Sequence, residues 1–131
     1  MIYLGSLDSN DYVAVRTISA ELNISATFLA KILKNLLAHD LVDTHRGPTG
    51  GVRLARAAST ITVRQVVEAV DGDALFKACV LGLPNCGNDA PCPMHQEWAQ
   101  TRQQIQKTFD SSTISSLGDS YASGGIRLKG E

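Results

Sequence analysis

The 131-residue chain carries 12 basic against 13 acidic residues, a formal net charge of -1, and an ordinary apolar share of 44%. That is enough chain for one domain with a satellite element and enough apolar matter for a core, while near-neutrality points by itself to neither a nucleic acid nor a membrane surface. No stretch reads as a secretory leader or a long apolar segment, and three cysteines cannot pair off completely. A secreted disulfide framework is therefore not expected; the chain reads as cytoplasmic, with no membrane partner.

In chain order, Met1 to Gly5 reads as the end of a very short first helix that runs into a polar turn, Ser6 to Asp11. Val15, Ile18 and Leu22 recur at helical spacing and predict a helix, broken at Asn23-Ile24-Ser25. Ser25 is a good N-cap for the next helix, which is expected to run to His39 with Leu29, Ile32, Leu33, Leu36 and Leu37 as its apolar stripe. Ala26, Thr27, Ala30, Lys31 and Lys34 lie opposite. Helix, short turn, longer helix is the helix-turn-helix arrangement, although alone it fits a plain helical hairpin better.

The residues after His39 change that balance. Leu41 to Thr44 reads as a strand, Arg46-Gly47-Pro48-Thr49-Gly50-Gly51 as a turn, and Val52 to Arg56 alternates apolar and basic residues as a second strand. A hairpin wing directly after a candidate recognition helix gathers Arg46, Arg53 and Arg56 with Lys31 and Lys34, the electrostatic footprint expected for phosphate contacts. Ser25, Thr27 and Lys31 are expected to meet base edges or nearby phosphates, and Lys34, Arg53 and Arg56 to act mainly on the backbone. His39 and His45 are expected to be surface groups.

Thr62 with Gln65 forms a capping box for a further helix, with Val63, Val66, Val67 and Val70 as its buried stripe and Gly72 as its C-terminal cap. Glu68, Asp71 and Asp73 read as a solvated helix end without chemistry. Then comes a segment from Cys79 to Trp98 that holds every cysteine of the chain. Gly82, Pro84, Gly87, Pro91 and Pro93 make it a loop. The thiols of Cys79, Cys86 and Cys92 with the imidazole of His95 are soft or borderline donors, suited to iron-sulfur or zinc chemistry. Zinc sites usually use tight Cys-x-x-Cys pairs, whereas six and five residues separate these cysteines. Spacing ranks a cluster modestly ahead of zinc, with unrelated thiols last.

Pro93 suits the first turn of a long helix, with Cys92 as its N-cap and the positive helix end favouring a thiolate there. Along that helix Met94, Trp98, Ile105 and Phe109 form a thin apolar line, expected to pack against a symmetry mate in preference to the chain's own core. Thr113 to Leu117 is expected to add a short turn, and the Gly- and Ser-rich end from Gly118 to be disordered. No Ser-His-Asp set, phosphate-binding glycine loop or second metal cluster is found, so an enzyme is not expected. A small redox or carrier protein is the alternative of a different class.

Three stretches together carry a family resemblance: Ile18-Ser19-Ala20-Glu21-Leu22-Asn23-Ile24-Ser25 with Phe28-Leu29-Ala30-Lys31-Ile32-Leu33, the wing from Leu41 to Leu54, and the cysteine loop ending Cys92-Pro93-Met94-His95 before Trp98. The chain resembles the IscR and NsrR type of bacterial winged-helix regulators, the superfamily often called Rrf-two. The match spans all but the tail. The resemblance implies a mainly α fold with a small β-hairpin: a winged helix-turn-helix DNA-binding unit at 1–58, a connecting helix at 59–75, a cluster-binding loop at 76–92, a dimerisation helix and turn at 93–117 and the tail at 118–131.

The same resemblance implies a cytoplasmic homodimeric regulator, expected to be a repressor, that binds a double-stranded DNA operator and one iron-sulfur cluster per subunit. Cys79, Cys86 and Cys92 match the family's cysteine ligands, and His95 the fourth ligand of IscR-like members, which hold a 2Fe-2S cluster. NsrR-like members take a fourth ligand from the partner's first helix and hold 4Fe-4S. The helix from Ser25 would enter the major groove and the Arg46 wing an adjacent minor groove, while Trp98, Ile105 and Phe109 would lie at the dimer interface. Relatives begin with additional residues of helix one, which this chain enters partway, and the first cysteine gap is longer than in IscR. A superfamily regulator whose cysteines bind no cluster, thiol- or zinc-based, remains the nearest alternative.

Overall fold

A computed structural model describes residues 1–130. Seven α-helices and a two-stranded sheet are found among the described residues, in the order α1 (Ile2–Gly5), α2 (Val15–Leu22), α3 (Ala26–Ala38), β1 (Val42–His45), β2 (Gly51–Leu54), a 3₁₀ turn (Ala58–Thr60), α4 (Val63–Asp71), α5 (Ala74–Lys77), α6 (His95–Ser111) and α7 (Ile114–Ala122). Asn23 closes α2 in the left-handed region (φ 53), which Asn tolerates better than most residues. Two residues later the Ser25 hydroxyl accepts the Phe28 N–H at 3.1 Å and starts α3. The tight turn between the two helices is thus written in two residues, Asn23 and Ser25.

Helix α3 buries Leu29, Leu33 and Leu36, whereas Leu37 is 43% exposed and drops out of the expected stripe. The strands pair antiparallel with Val42 opposite Leu54 and Asp43 opposite Arg53. Val42, Val52 and Leu54 point to the core and the charged pair to solvent, as the period of two demands. Val13 adds a bridge to Val52, its N–H and carbonyl each hydrogen-bonded at 2.9 Å. Gly51 is required there: a Cβ would collide with the Val13 carbonyl, and its φ of +152 disfavours other residues.

The Thr62–Gln65 capping box is formed and Gly72 ends α4. Of that helix, Ala69 is buried; the valines of the expected stripe are half-buried, and Val63, Val66 and Val70 line an apolar groove of about 310 Å³ with Ile2, Ile32 and Leu36. Around the chain's end the sequence expectation needs revision. The region from Gly118 continues as helix to Ala122, because Ile114 is buried in the core and Gly118 meets the backbone of Gly5 on α1. The long helix also starts later than expected, at His95: Pro93 and Met94 form a turn, Met94 takes the N-cap position, and Cys92 is not the cap.

Candidate metal centre and nucleic-acid interface

The three thiols converge. Every pair of their Sγ atoms lies within 4.8 Å, with Cys79 and Cys92 at 3.6 Å. The Cys92 backbone N–H donates to Cys86 Sγ at 3.3 Å, a tether for the middle thiol of an otherwise irregular loop. Backbone N–H groups also act on Cys79: hydrogen bonding from Leu83 first, then from Leu81, outweighs burial and holds its thiol down at about 7. Cys92, 9% exposed, moves the other way, because burial and the neighbouring thiols push its pKa up. The expectation that the helix end favours a thiolate at Cys92 is corrected: loop amides at Cys79 do that instead.

His95 occupies the first position of α6, with Nδ1 3.3 Å from Cys86 Sγ and Nε2 3.3 Å from Asn88 Oδ1. A donor Nε2–H toward the Asn88 oxygen leaves the lone pair on Nδ1, the nitrogen that faces the thiols. The set within 4.8 Å comprises thiols alone, so His95 approaches it through Cys86. Three soft donors and one borderline donor, three of them converged, fit an iron-sulfur or zinc-type group. Asn88 was not among the residues singled out by sequence; nothing in a loop asparagine distinguishes it before folding.

Of the residues expected to meet DNA, Thr27, Lys31 and Lys34 are exposed on α3 and Ser25 is exposed at its N-cap, and the helix carries no acidic residue. Phe28, 55% exposed in the first turn, joins them as an apolar group outside the expected stripe. Arg46 is exposed at the end of β1. The other two arginines are engaged within the chain: Arg53 stands 3.7 Å from Asp43 and 4.4 Å over the ring of Tyr12, which also packs on His45, and Arg56 donates to the Asp40 carbonyl and to Gln65 Oε1. His39 is exposed, its Nδ1 at the Asn35 carbonyl.

Glu68 and Asp73 are not merely solvated; they pair with Arg64 at 2.9 Å and Lys77 at 2.7 Å. On α6, Trp98 donates its indole N–H to the Ala78 carbonyl at 2.9 Å and Phe109 packs edge-on against Phe76 at 5.6 Å, so both serve contacts to α5 of the same chain; Ile105 is half-buried.

A hairpin wing after a capped helix-turn-helix, followed by a converged cysteine loop, is an unusual order of parts, and it is matched over residues 1–120 by the family model described as "Rrf2: Iron-dependent Transcriptional regulator". The chain belongs to the Rrf2 family. It is 31% identical to a protein of Aquifex aeolicus (strain VF5) named as a transcriptional regulator of helix-turn-helix type, over 86% of this chain and 79% of that one. It is 26% identical to the helix-turn-helix-type transcriptional regulator NsrR of Geobacillus kaustophilus (strain HTA426), over 94% and 84%. In fold it is similar to CymR, the global cysteine regulator of B. subtilis, with a TM-score of 0.76, 22% identity and coverage of 92% and 87%. This Rrf2 protein is a transcriptional regulator of the winged-helix kind and not an enzyme. No helix among the described residues is long and apolar enough to cross a membrane.

Proposed function

We propose that this Rrf2 regulator is a cytoplasmic, homodimeric repressor that senses iron-sulfur, redox or nitric oxide status at Cys79, Cys86, Cys92 and His95, with a 2Fe-2S group favoured over 4Fe-4S. The observation that carries the reading is the convergence of the three thiols within 4.8 Å in a chain of a family described as iron-dependent. An iron-sulfur group at this position supplies one-electron redox chemistry and a dependence on iron supply. Cys92 and His95 flank the start of α6 and Cys79 follows α5, so occupancy and the setting of α6 bias one another. Two recognition helices of a dimer must fit two half-sites at once; a modest change in their relative placement costs specific affinity while phosphate contacts keep weak nonspecific binding.

On the operator, Ser25, Thr27 and Lys31 meet base edges or nearby phosphates, Lys34 holds the backbone, and Arg46 reaches an adjacent minor groove. Arg53 and Arg56 give weaker phosphate contacts, because each already has a partner within the chain. Trp98, Ile105 and Phe109 lie on α6, the helix proposed to cross its mate, although Trp98 and Phe109 share their contacts with α5.

A second reading, a single tetrahedral ion such as zinc, accounts for one distance as well as two thiolates on one tetrahedral iron of a cluster would. Thiolates sharing one zinc at about 2.3 Å stand about 3.8 Å apart, and Cys79 and Cys92 stand at 3.6 Å. Anaerobic purification with a visible spectrum and iron, sulfide and zinc assays, repeated on Cys92→Ala, separates the two. Iron and sulfide together, with a chromophore lost in the variant, support the cluster. A colourless protein holding zinc, or no metal after cluster reconstitution, overturns it.

A further inference from the structure

Helix α6 turns a row of long hydrogen-bond donors toward α5. Trp98, Arg102 and Gln106 recur every fourth residue and so share one face. Trp98 Nε1 donates to the Ala78 carbonyl at 2.9 Å, Arg102 Nη1 to the carbonyls of Lys77 at 3.0 Å and Ala78 at 3.4 Å, and Gln106 Nε2 to that of Phe76 at 2.7 Å. These acceptors are the carbonyls that a four-residue helix cannot satisfy for itself, and a guanidinium suits their negative end. The residue after Ala78 is Cys79.

At the other end of the loop the Cys92 carbonyl accepts the His95 N–H at 3.0 Å, where α6 begins. Two thiols 13 residues apart are therefore both referenced to one rigid helix, and they meet at 3.6 Å. Cys86 differs in kind, being held through sulfur contacts to the Cys92 N–H and to His95. Arg102 is central in the donor row, carries its only charge, and bridges two carbonyls.

We propose that Arg102 is a positioning residue for the thiol site: by fixing the Lys77 and Ala78 carbonyls to α6 it sets Cys79 against Cys92. The proposal rests on the reading of the thiols as a ligand set for its significance, but its test needs neither metal nor DNA, so the two can fail separately.

The test uses the full, reduced, metal-free chain in a Cys86→Ser background, where one disulfide can form. Diamide accepts the two hydrogens of the Cys79 and Cys92 thiols as their S–S bond closes, and the rate is read by quenching with iodoacetamide and weighing the products. Arg102→Ala should slow closure about tenfold, the equivalent of losing one charge-assisted hydrogen bond. Arg102→Lys, which keeps a cationic donor, should restore most of the rate. Thr101→Ala, on another face of α6, should leave it unchanged. Should Arg102→Ala fail to fold by circular dichroism, Arg102→Gln, with a neutral donor, takes its place with the same expected direction. Closure at the parental rate in Arg102→Ala (or in Arg102→Gln where it stands in), or equal slowing in Arg102→Lys, overturns the assignment.

Discussion

Arg64 on α4 stands 3.1 Å from Asp110 on α6 while its guanidinium lies 4.8 Å over the ring of Phe76 on α5, so one side chain joins the three helices around the cysteine loop. Its hydrogen bonds donated to Glu68 first, and to Asp110 against some burial, raise its pKa and keep it cationic. Arg64→Met, which keeps the aliphatic stem, should lower the urea midpoint of unfolding. The combined Arg64→Met and Asp110→Asn variant should be less destabilised than the two singles added, because each removes the same contact. Strict additivity would show that the pair carries no coupling.

The contact between α1 and α7 predicts a different kind of loss. A Cβ on Gly118 would stand 2.5 Å from the backbone of Gly5, which cannot move aside as a side chain could. Gly118→Ala should therefore cost about 1–3 kcal/mol, the usual range for overpacking, measured by urea denaturation. An unchanged or raised midpoint would mean that α7 does not seat as described.

DNA affinity should separate free cations from engaged ones. Lys31→Ala should weaken binding and lower the slope of log affinity against log salt by about one. Arg53→Ala should change that slope less, since Asp43 and the Tyr12 ring already hold the guanidinium. Arg46→Ala should weaken specific binding more than nonspecific binding if the wing reads a minor groove. Fluorescence anisotropy across a salt series checks all three, and equal slopes for Lys31→Ala and Arg53→Ala would count against this ordering.

Alkaline pH offers a test of the link between α7 and α2. The Tyr121 hydroxyl donates to Glu21 Oε1 at 3.1 Å, and that hydrogen bond, ahead of burial, raises its pKa above the ordinary 10.0. A pKa raised in the folded state gives stability that is full below the unfolded value and is lost as pH rises through the folded one. The parent should thus lose stability above pH 10 more steeply than Tyr121→Phe, by thermal melts in matched buffers. Parallel alkaline limbs would mean that the hydrogen bond contributes nothing.

How far the sequence reached depended on the range of the interaction behind each element. The caps at Ser25 and Thr62 act within three residues, so both helix starts were legible, and the wing followed from its turn residues and alternation. Helix α5 was not, because Ala74-Leu75-Phe76-Lys77 is too short to show a period and owes its satisfied end to donors on α6, at least 20 residues away. Helix α7 was hidden for a related reason: Gly118 and its serines lower helix propensity, yet a glycine is what the approach to Gly5 requires. The three thiols that converge, and the imidazole of His95 beside Cys86, could be picked out one by one as candidates, but not which thiol would be acidified, since that is set by loop amides at Leu83 and Leu81. The row Trp98, Arg102, Gln106 was not singled out, since only its acceptors at the end of α5 give that spacing a meaning.

Besides the Arg64–Asp110 pair and the Phe109–Phe76 contact, the far end of α6 is pinned by backbone. The Ile61 carbonyl accepts the Ile114 N–H at 2.9 Å and the Ser112 carbonyl accepts the Val63 N–H at 2.9 Å, around the bridge between Thr62 and Thr113. That knot ties the end of the helix to the entry of α4, and the following α7 is locked onto α1. The 17 residues of α6 therefore form a lever anchored at Thr113, whose long arm, tied to α5 by Trp98, Arg102 and Gln106, carries His95 and adjoins Cys92. At 1.5 Å per residue the arm is about 25 Å long, so a tilt of about 5° at the knot moves the thiol end by about 2 Å. The lever also runs in reverse: a displacement of about 2 Å at the thiol end corresponds to a turn of about 5° at the knot with α4.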